Sequence, residues 1–278
     1  MAFARSRRSG CPTAKLSIAS TWRLPRSRLL GASVTAPHEF LTIDCGNSTI
    51  SCRRPDGVLW STSSSDPDFT DLALFAAKPG LRVVVVSVVP EALAAVRAAL
   101  PKADFAVVDI DLKCPLSLAY DGIATLGADR WLGAFAAYRR FGAAITIDCG
   151  TATTINVVDS DGVFHGGAIA PGLAALVAGL QVKAKALPPA NLDASPVMPA
   201  KSTQDCVDAG VLLGWAGLVE RLVGNARKHD RDAQLVVTGG NAERLLRLSE
   251  LASERGGCER VPELLHDGLA ELAAMPRS

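Results

Sequence analysis

Two short apolar runs, each rich in β-branched residues, end in the same polar signature. Thr42-Ile43-Asp44-Cys45-Gly46-Asn47-Ser48-Thr49-Ile50 and Thr146-Ile147-Asp148-Cys149-Gly150-Thr151-Ala152-Thr153-Thr154-Ile155 share their first five residues without change. Each reads as a strand with an Asp near its end, a Gly that permits a tight reversal, and a second strand, which is the grammar of a β-hairpin. After the first copy, residues 50–61 continue as strand around Asp56-Gly57, and residues 66–77 read as a helix capped by Asp66 with Pro67 in its first turn. Residues 81–89 are the continuous apolar run of a strand buried on both faces, 90–100 form a helix with Pro at its start, and 105–109 form a strand. Residues 110–126 are irregular, and a helix opens at Gly127-Ala128-Asp129-Arg130 and runs to about Phe141.

The second copy, from Ala143, opens a similar order with more helix. A strand covers 163–169 and leads into Gly166-Gly167-Ala168-Ile169-Ala170-Pro171-Gly172, whose paired glycines mark a sharp turn or a backbone that something approaches. Helices follow at about 172–186 and 205–228, then a strand at 234–238 ending in Gly239-Gly240, and the rest is helical. The pattern predicts an α/β protein of two related domains, 41–142 and 143–278, preceded by a separate segment 1–40.

Composition narrows this picture. The 278 residues suffice for two medium domains with buried cores, and no apolar run reaches the eighteen or so residues of a membrane span. Seven cysteines form no C-x-x-C pair and stand apart from the four histidines, which argues against a zinc site or a disulfide framework and for a reducing cytoplasm. The net charge of +1 hides an asymmetry. Residues 1–40 carry six Arg and one Lys against Glu39, which leaves 22 basic against 27 acidic residues in the remainder. The arm carries no nucleic-acid-binding motif. Its Arg- and Ser-rich makeup matches a transit peptide, but a disordered extension or a start assigned too far upstream is the favoured expectation.

The candidate chemistry sits at element ends. Neither G-x-x-x-x-G-K-[ST] nor G-x-G-x-x-G occurs, so P-loop and Rossmann sites have no support. Backbone N–H groups around a Gly turn approach phosphate oxygens closely, and Ser and Thr hydroxyls beside them add donors. An Asp beside phosphate works only through a cation, a water or a proton, so two facing hairpins bearing Asp44 and Asp148 suit a polyphosphate gripped from both sides. A third carboxylate, Asp129, opens a helix beside Arg130, where one residue could take a hydroxyl proton and the other anchor an acidic substrate; a plain helix cap is the competing reading. Tyr120 either lines that pocket or simply packs, Thr238-Gly239-Gly240 suits a flat ring lying on bare backbone, and His165 reads as structural.

Taken together, D-x-G-N-[TS] at 44–48, G-A-D-R at 127–130, D-x-G-T-A-T-T at 148–154, G-G-x-I-x-P-G at 166–172 and T-G-G at 238–240 resemble the motifs of type III pantothenate kinases in type and order. The resemblance spans about residues 41–270. It implies the acetate and sugar kinase/Hsp70/actin fold, related to ribonuclease H, with ATP in the cleft between two domains. It also implies phosphorylation of pantothenate to 4′-phosphopantothenate, the first step of coenzyme A synthesis, with Mg²⁺ and K⁺ or NH₄⁺ as cofactors. Carried over by position, ATP would meet Asp44, Cys45, Gly46, Asn47, Ser48, Thr49, Ile50 and Ser51 on the first hairpin, with Thr151, Thr238, Gly239 and Gly240 across the cleft. Asp44 would hold Mg²⁺ through water, Asp148 the monovalent cation, and Asp129 would be the general base. Tyr120, Gly127, Ala128, Asp129 and Arg130 would line the pantothenate pocket, which Thr203 would reach from a partner subunit, implying a homodimer. Ser48 stands where the family usually has Thr, Ser202-Thr203 where it commonly has Asn-Thr, and the basic arm is foreign to the pattern. Membrane and nucleic-acid partners are not expected. The alternatives are a kinase of the same fold for another small hydroxylated acceptor and a non-catalytic, ATP-binding regulatory protein.

Overall fold

A computed structural model describes residues 40–76, 78–109, 115–253 and 257–275. The expected basic extension lies, but for residue 40, outside the described residues, as do 110–114 of the stretch expected to be irregular and residue 77 of the first expected helix. The first sheet is built from β1 (Phe40–Cys45), β2 (Thr49–Arg53) and β3 (Leu59–Ser63), then, after α1 (Thr70–Ala76), from β4 (Arg82–Ser87), α2 (Pro90–Ala99) and β5 (Asp104–Val108). Its order is β3-β2-β1-β4-β5, with β1–β2 and β2–β3 antiparallel and β1–β4 and β4–β5 parallel.

The chain then passes through β6 (Ser117–Leu118) into α3 (Ala128–Phe141) and the second sheet. That sheet contains β7 (Ala144–Cys149), β8 (Ala152–Val158) and β9 (Val163–Pro171), followed by α4 (Leu173–Lys183) and α5 (Thr203–Ala226). It is completed by β10 (Gln234–Thr238), α6 (Ala242–Leu248) and β11 (Cys258–Arg260), and α7 (Leu264–Ala274) closes the fold. Its order is β11-β10-β7-β8-β9-β6. The pairs β7–β8 and β8–β9 are antiparallel, and β7–β10 and β10–β11 parallel. Apart from β6, this is the first sheet's topology over again, so the repeated hairpin is one part of a repeated domain plan.

Alternation along the strands decides which core each residue enters. Val83 and Val85 face a core with Leu72, Ala92 and Val96, whereas Val84 and Val86 face a central core shared by both sheets. In the second sheet Ile145, Ile147, Leu235 and Val237 pack against Leu212, Trp215 and Val219 of α5, while Ala144, Val158 and Val236 turn to the central core. The filling of that central core is α3 and α7. Trp131, Leu132 and Phe135 are fully buried there beside Leu264 and Leu269. Each such large side chain contributes about 1.5–3 kcal/mol of burial free energy. One end of α3 is thereby pinned at the cleft, and α7 crosses back to touch β1 and β4.

Some boundaries differ from those predicted. The first helix starts at Thr70, not Asp66, because Asp68 is the residue whose carboxylate accepts the Thr70 N–H and hydroxyl at 2.9 and 2.6 Å. The C-terminal part is not all helix: Cys258–Arg260 pairs in parallel with β10. Among the described residues no helix is long and apolar enough to cross a membrane.

Candidate active site

Both hairpin turns project from the same edge of their sheets towards each other. In the first, the Gly46 N–H donates to the Thr49 carbonyl at 3.0 Å, and Ser64 braces the turn by donating its hydroxyl to the Gly46 carbonyl and its N–H to the Ser48 carbonyl. Asn47, Ser48 and Thr49 are exposed at the tip, as is Thr151 in the second hairpin. The tips meet: the Ser48 and Thr151 hydroxyls lie 2.7 Å apart. Cys45 and Ile50 are fully buried beneath the first turn, so only their backbone can face a ligand.

Asp44 and Asp148 occupy equivalent positions one residue before the ends of β1 and β7. Burial is the main reason that the Asp44 carboxyl is pushed up to about 7, with the charges of Asp148 and Asp129 adding to it. Asp148 is pushed up to about 6, again by burial first and then by Asp129. The Asp129 carboxyl is also raised by burial, against the opposing pull of the Arg130 N–H and guanidinium. Three carboxylates from three different elements therefore sense one another in a poorly hydrated place, an arrangement that costs free energy unless cations or protons neutralise it.

Asp129 lies in the first turn of α3, where Gly127 is the N-cap, and its Oδ1 accepts the Arg130 N–H at 2.8 Å. Arg130 is buried and held in place: its Nε donates to Asn156 Oδ1 at 2.8 Å and its Nη1 to the Tyr120 hydroxyl at 3.3 Å, with the guanidinium 5.8 Å from the Tyr120 ring centre. Asn156 in turn donates to the Thr146 hydroxyl at 3.3 Å. Asp129, Arg130, Asp148, Thr154 and Asn156 line a narrow pocket that opens to solvent, with Leu264 and Leu265 of α7 on its apolar side.

The strand-to-helix turn after β10 closes against the second hairpin. Gly239 has φ of +87°, and a Cβ there would stand 2.5 Å from Asp148 Oδ1 and 2.8 Å from the Cys149 nitrogen, so no side chain fits. The Asn241 N–H donates to the Cys149 carbonyl at 3.0 Å, and Thr238 also lines the pocket. On the other flank Gly166, with φ of +77°, lies under the Tyr120 ring, where a Cβ would be 2.9 Å from two ring carbons. Thr203 is not among these groups; it is exposed at the first position of α5.

Sequence reasoning missed two supporting residues. Asn156 carries a signal, since it is the one amide inside the apolar run of β8. His266 carries none: it is an isolated histidine on α7, yet it is buried, its Nδ1 lies 2.8 Å from the Thr42 hydroxyl and its Nε2 lies 2.9 Å from that of Ser51. Ser51 is the cross-strand partner of Asp44, and Thr42 is two residues before it on the same face. Arg53 adds ion pairs to Glu263 and Asp267 and a hydrogen bond to the His266 carbonyl, so the start of α7 is stitched to the first hairpin. Away from the cleft, the fold also gathers Asp159, His165 and His229.

A duplicated α/β core with two facing hairpins and carboxylates in the intervening cleft defines the acetate and sugar kinase/Hsp70/actin class of protein. Solved structures agree at the level of the fold. One described as a Baf family transcriptional activator from Campylobacter jejuni has a TM-score of 0.57 and 18% identity, covering 84% of this chain and 96% of its own. Another, described as a 2-dehydro-3-deoxygalactonokinase from Sinorhizobium meliloti, has a TM-score of 0.52 and 16% identity, covering 86% and 100%. Within that class, the family model of type III pantothenate kinase matches residues 40–225. The type III pantothenate kinase of Alkalilimnicola ehrlichii is 33% identical over 85% of this chain and 98% of the relative. That of Syntrophotalea carbinolica is 39% identical over 58% of this chain, the alignment spanning 65% of the relative's length. The chain belongs to the type III pantothenate kinase family.

Proposed function

We propose that this chain transfers the γ-phosphoryl group of ATP to the primary hydroxyl of pantothenate, giving 4′-phosphopantothenate for coenzyme A synthesis. The observation that carries the reading is the group of three half-buried carboxylates, Asp44, Asp129 and Asp148, with Arg130 fixed beside them. Such a group suits cations rather than a neutral ligand, and the two hairpin turns offer N–H and hydroxyl donors at phosphate height.

In this reading Asp44 holds Mg²⁺ through water and Asp148 holds K⁺ or NH₄⁺, which supply neutralisation of charge on the transferring phosphoryl oxygens. Residues 44–51 and Thr151 receive the phosphates, and Thr238, Gly239 and Gly240 the nucleoside. Arg130, held by Asn156 and Tyr120, orients the acid group of pantothenate, with Gly127 and Ala128 forming the pocket floor. Asp129 accepts the hydroxyl proton, and the burial that raises its carboxyl makes it a stronger base than an exposed aspartate.

A homodimer completes the site. Helix α4, of sequence LAALVAGLQVK, buries Leu173 and rests Leu176, Val177 and Leu180 against the second-sheet core, which leaves Val182 on its outer side. Val182 is 65% exposed, which favours a second subunit covering this face and the partner subunit's Thr203 reaching the pantothenate pocket. Cys45, Cys52, Cys149 and Cys206 carry free thiols, which agrees with a cytoplasmic protein.

The test is ADP release from ATP with and without pantothenate, in Mg²⁺ buffer containing either K⁺ or only Na⁺. Release that requires both pantothenate and K⁺ is the expected result. Pantothenate-independent release, or none from folded protein, would move the assignment to another acceptor or to a nucleotide-binding role without turnover.

A further inference from the structure

The loop between β8 and β9 and the end of α5 meet at the edge of the second sheet far from the hairpin tip. Val158 pairs with Ala144 at one end of β7, while Thr153 pairs with Cys149 at the other. The separation is about 17 Å at about 3.3 Å per strand residue. Three side chains with metal-ligating atoms converge there. Asp159 is fixed by its turn, its Oδ1 accepting the N–H groups of Asp161 and Val163 at 2.9 Å each. Its other oxygen, Oδ2, stands 2.7 Å from Nε2 of His165 on β9. His229, in the turn after α5, brings its ring centre to 4.0 Å from that of His165. One ligand atom from each of the three lies within 4.8 Å of the other two.

A hydrogen bond accounts for the Asp159–His165 pair, and a tilted ring contact with His165 for the place of His229. A divalent ion engages all three side chains at once, taking one nitrogen from each imidazole and one carboxylate oxygen as ligands in place of the proton that His165 and Asp159 share. Ligands about 2.0–2.2 Å from a tetrahedral zinc ion stand about 3.3 Å apart, so the Asp159–His165 pair need open by only roughly half an ångström. Two nitrogens and one oxygen select a first-row transition ion of the zinc type over Mg²⁺ or Ca²⁺, which prefer an all-oxygen shell.

We propose that Asp159, His165 and His229 form a peripheral site for a divalent transition metal ion, with a fourth position left to water. The ion ties the end of α5 to the β8–β9 turn and takes no part in phosphoryl transfer. It binds the folded chain only, so it raises thermal stability by mass action.

Cobalt titration of the full chain in excess Mg²⁺ and K⁺ tests this, because Co²⁺ reports its ligands by its visible spectrum. The wild type is expected to hold one Co²⁺ more than His229→Ala, with no sulfur-to-cobalt charge-transfer band, which separates this site from exposed Cys206. Cobalt should raise the melting temperature of the wild type and not of His229→Ala, whose turnover in Mg²⁺ and K⁺ without cobalt stays at the wild-type rate. His165→Gln serves as a second variant from another element and should lose the same equivalent. Equal cobalt binding by wild type and both variants, or a sulfur-ligated spectrum for the extra ion, would overturn the proposal.

Discussion

Asp129 differs from the other two carboxylates in having a cation as its sequence neighbour. The Arg130 N–H and guanidinium offset part of its burial, whereas the charged neighbours that act on Asp44 and Asp148 are themselves carboxylates. In the proposed reading Asp129 trades a proton with substrate, while the other two hold cations. Asp129→Asn should lower turnover by about 10²–10⁴-fold, the usual contribution of general-base help, while ATP affinity by calorimetry stays within a few-fold. For Asp148→Asn the expectation is different. Its carboxyl is raised from 3.8 to about 6, so the folded chain binds more protons than the unfolded one between those values. Stability from this group is full below about pH 4 and is lost as pH rises through about 6. Removing the charge should make the cation-free variant melt higher than wild type at pH 8, with the difference vanishing towards pH 4, and should abolish the stabilisation that K⁺ gives the wild type. The comparison must be made between the two proteins, because the His266 imidazole, pushed down to about 3 by burial, gives the opposite slope as pH falls below 6.5. At this scale the sequence made Asp44, Asp129 and Asp148 legible through repetition and motif. It concealed Asn156 and His266, whose partners are 26 and 215 or more residues away.

At the scale of elements, α7 is the piece whose role exceeds its sequence signal. It packs on α3, lines the pocket with Leu264 and Leu265, and bonds to the first hairpin through His266 and Arg53. His266→Ala leaves two hydroxyls without their imidazole partner, at a cost of about 1–3 kcal/mol for each group left unsatisfied. Since those hydroxyls flank Asp44, the variant should raise the KM for ATP several-fold and the Mg²⁺ concentration needed for half-maximal rate, with the pantothenate KM unchanged. A uniform fall in kcat without those shifts would mark His266 as a packing residue only. The strands and both hairpins could be read from the chain because alternation and β-branched runs are local signals. The short strands β6 and β11 could not, because two or three residues hold no periodicity and each exists only by pairing with an edge supplied from elsewhere. The start of α1 slipped by four residues for a related reason: Asp66 and Asp68 are both able to cap, and the hydrogen bond from the Asp68 N–H to the Thr62 hydroxyl, a contact with β3, selects the second.

At the scale of the molecule, α4 packs Leu176, Val177 and Leu180 on the second-sheet core but leaves the apolar Val182 exposed, and Thr203 is a motif residue stranded outside the pocket. One arrangement accounts for both: a two-fold dimer in which the α4 faces meet and each α5 start presents Thr203 to the other subunit's pocket. In such a dimer a site is built from Asp129 of one subunit and Thr203 of its partner, so defects in the two residues complement each other. Asp129→Asn homodimers and Thr203→Ala homodimers should each turn over pantothenate poorly. After co-refolding, random reassociation makes half of the dimers mixed, and in each mixed dimer the Thr203→Ala subunit keeps its Asp129 and receives an intact Thr203 from its partner. One site in two is then complete, so activity should recover to about a quarter of wild type. Val182→Asp, which puts a charge on the exposed side of α4, should leave a monomer by light scattering, retain ATP binding and prevent the recovery. Activity that stays at the sum of the two parent variants after mixing, in protein shown to exchange subunits, would place Thr203 outside the partner's site and leave α4 to be covered by something other than a second copy of this chain.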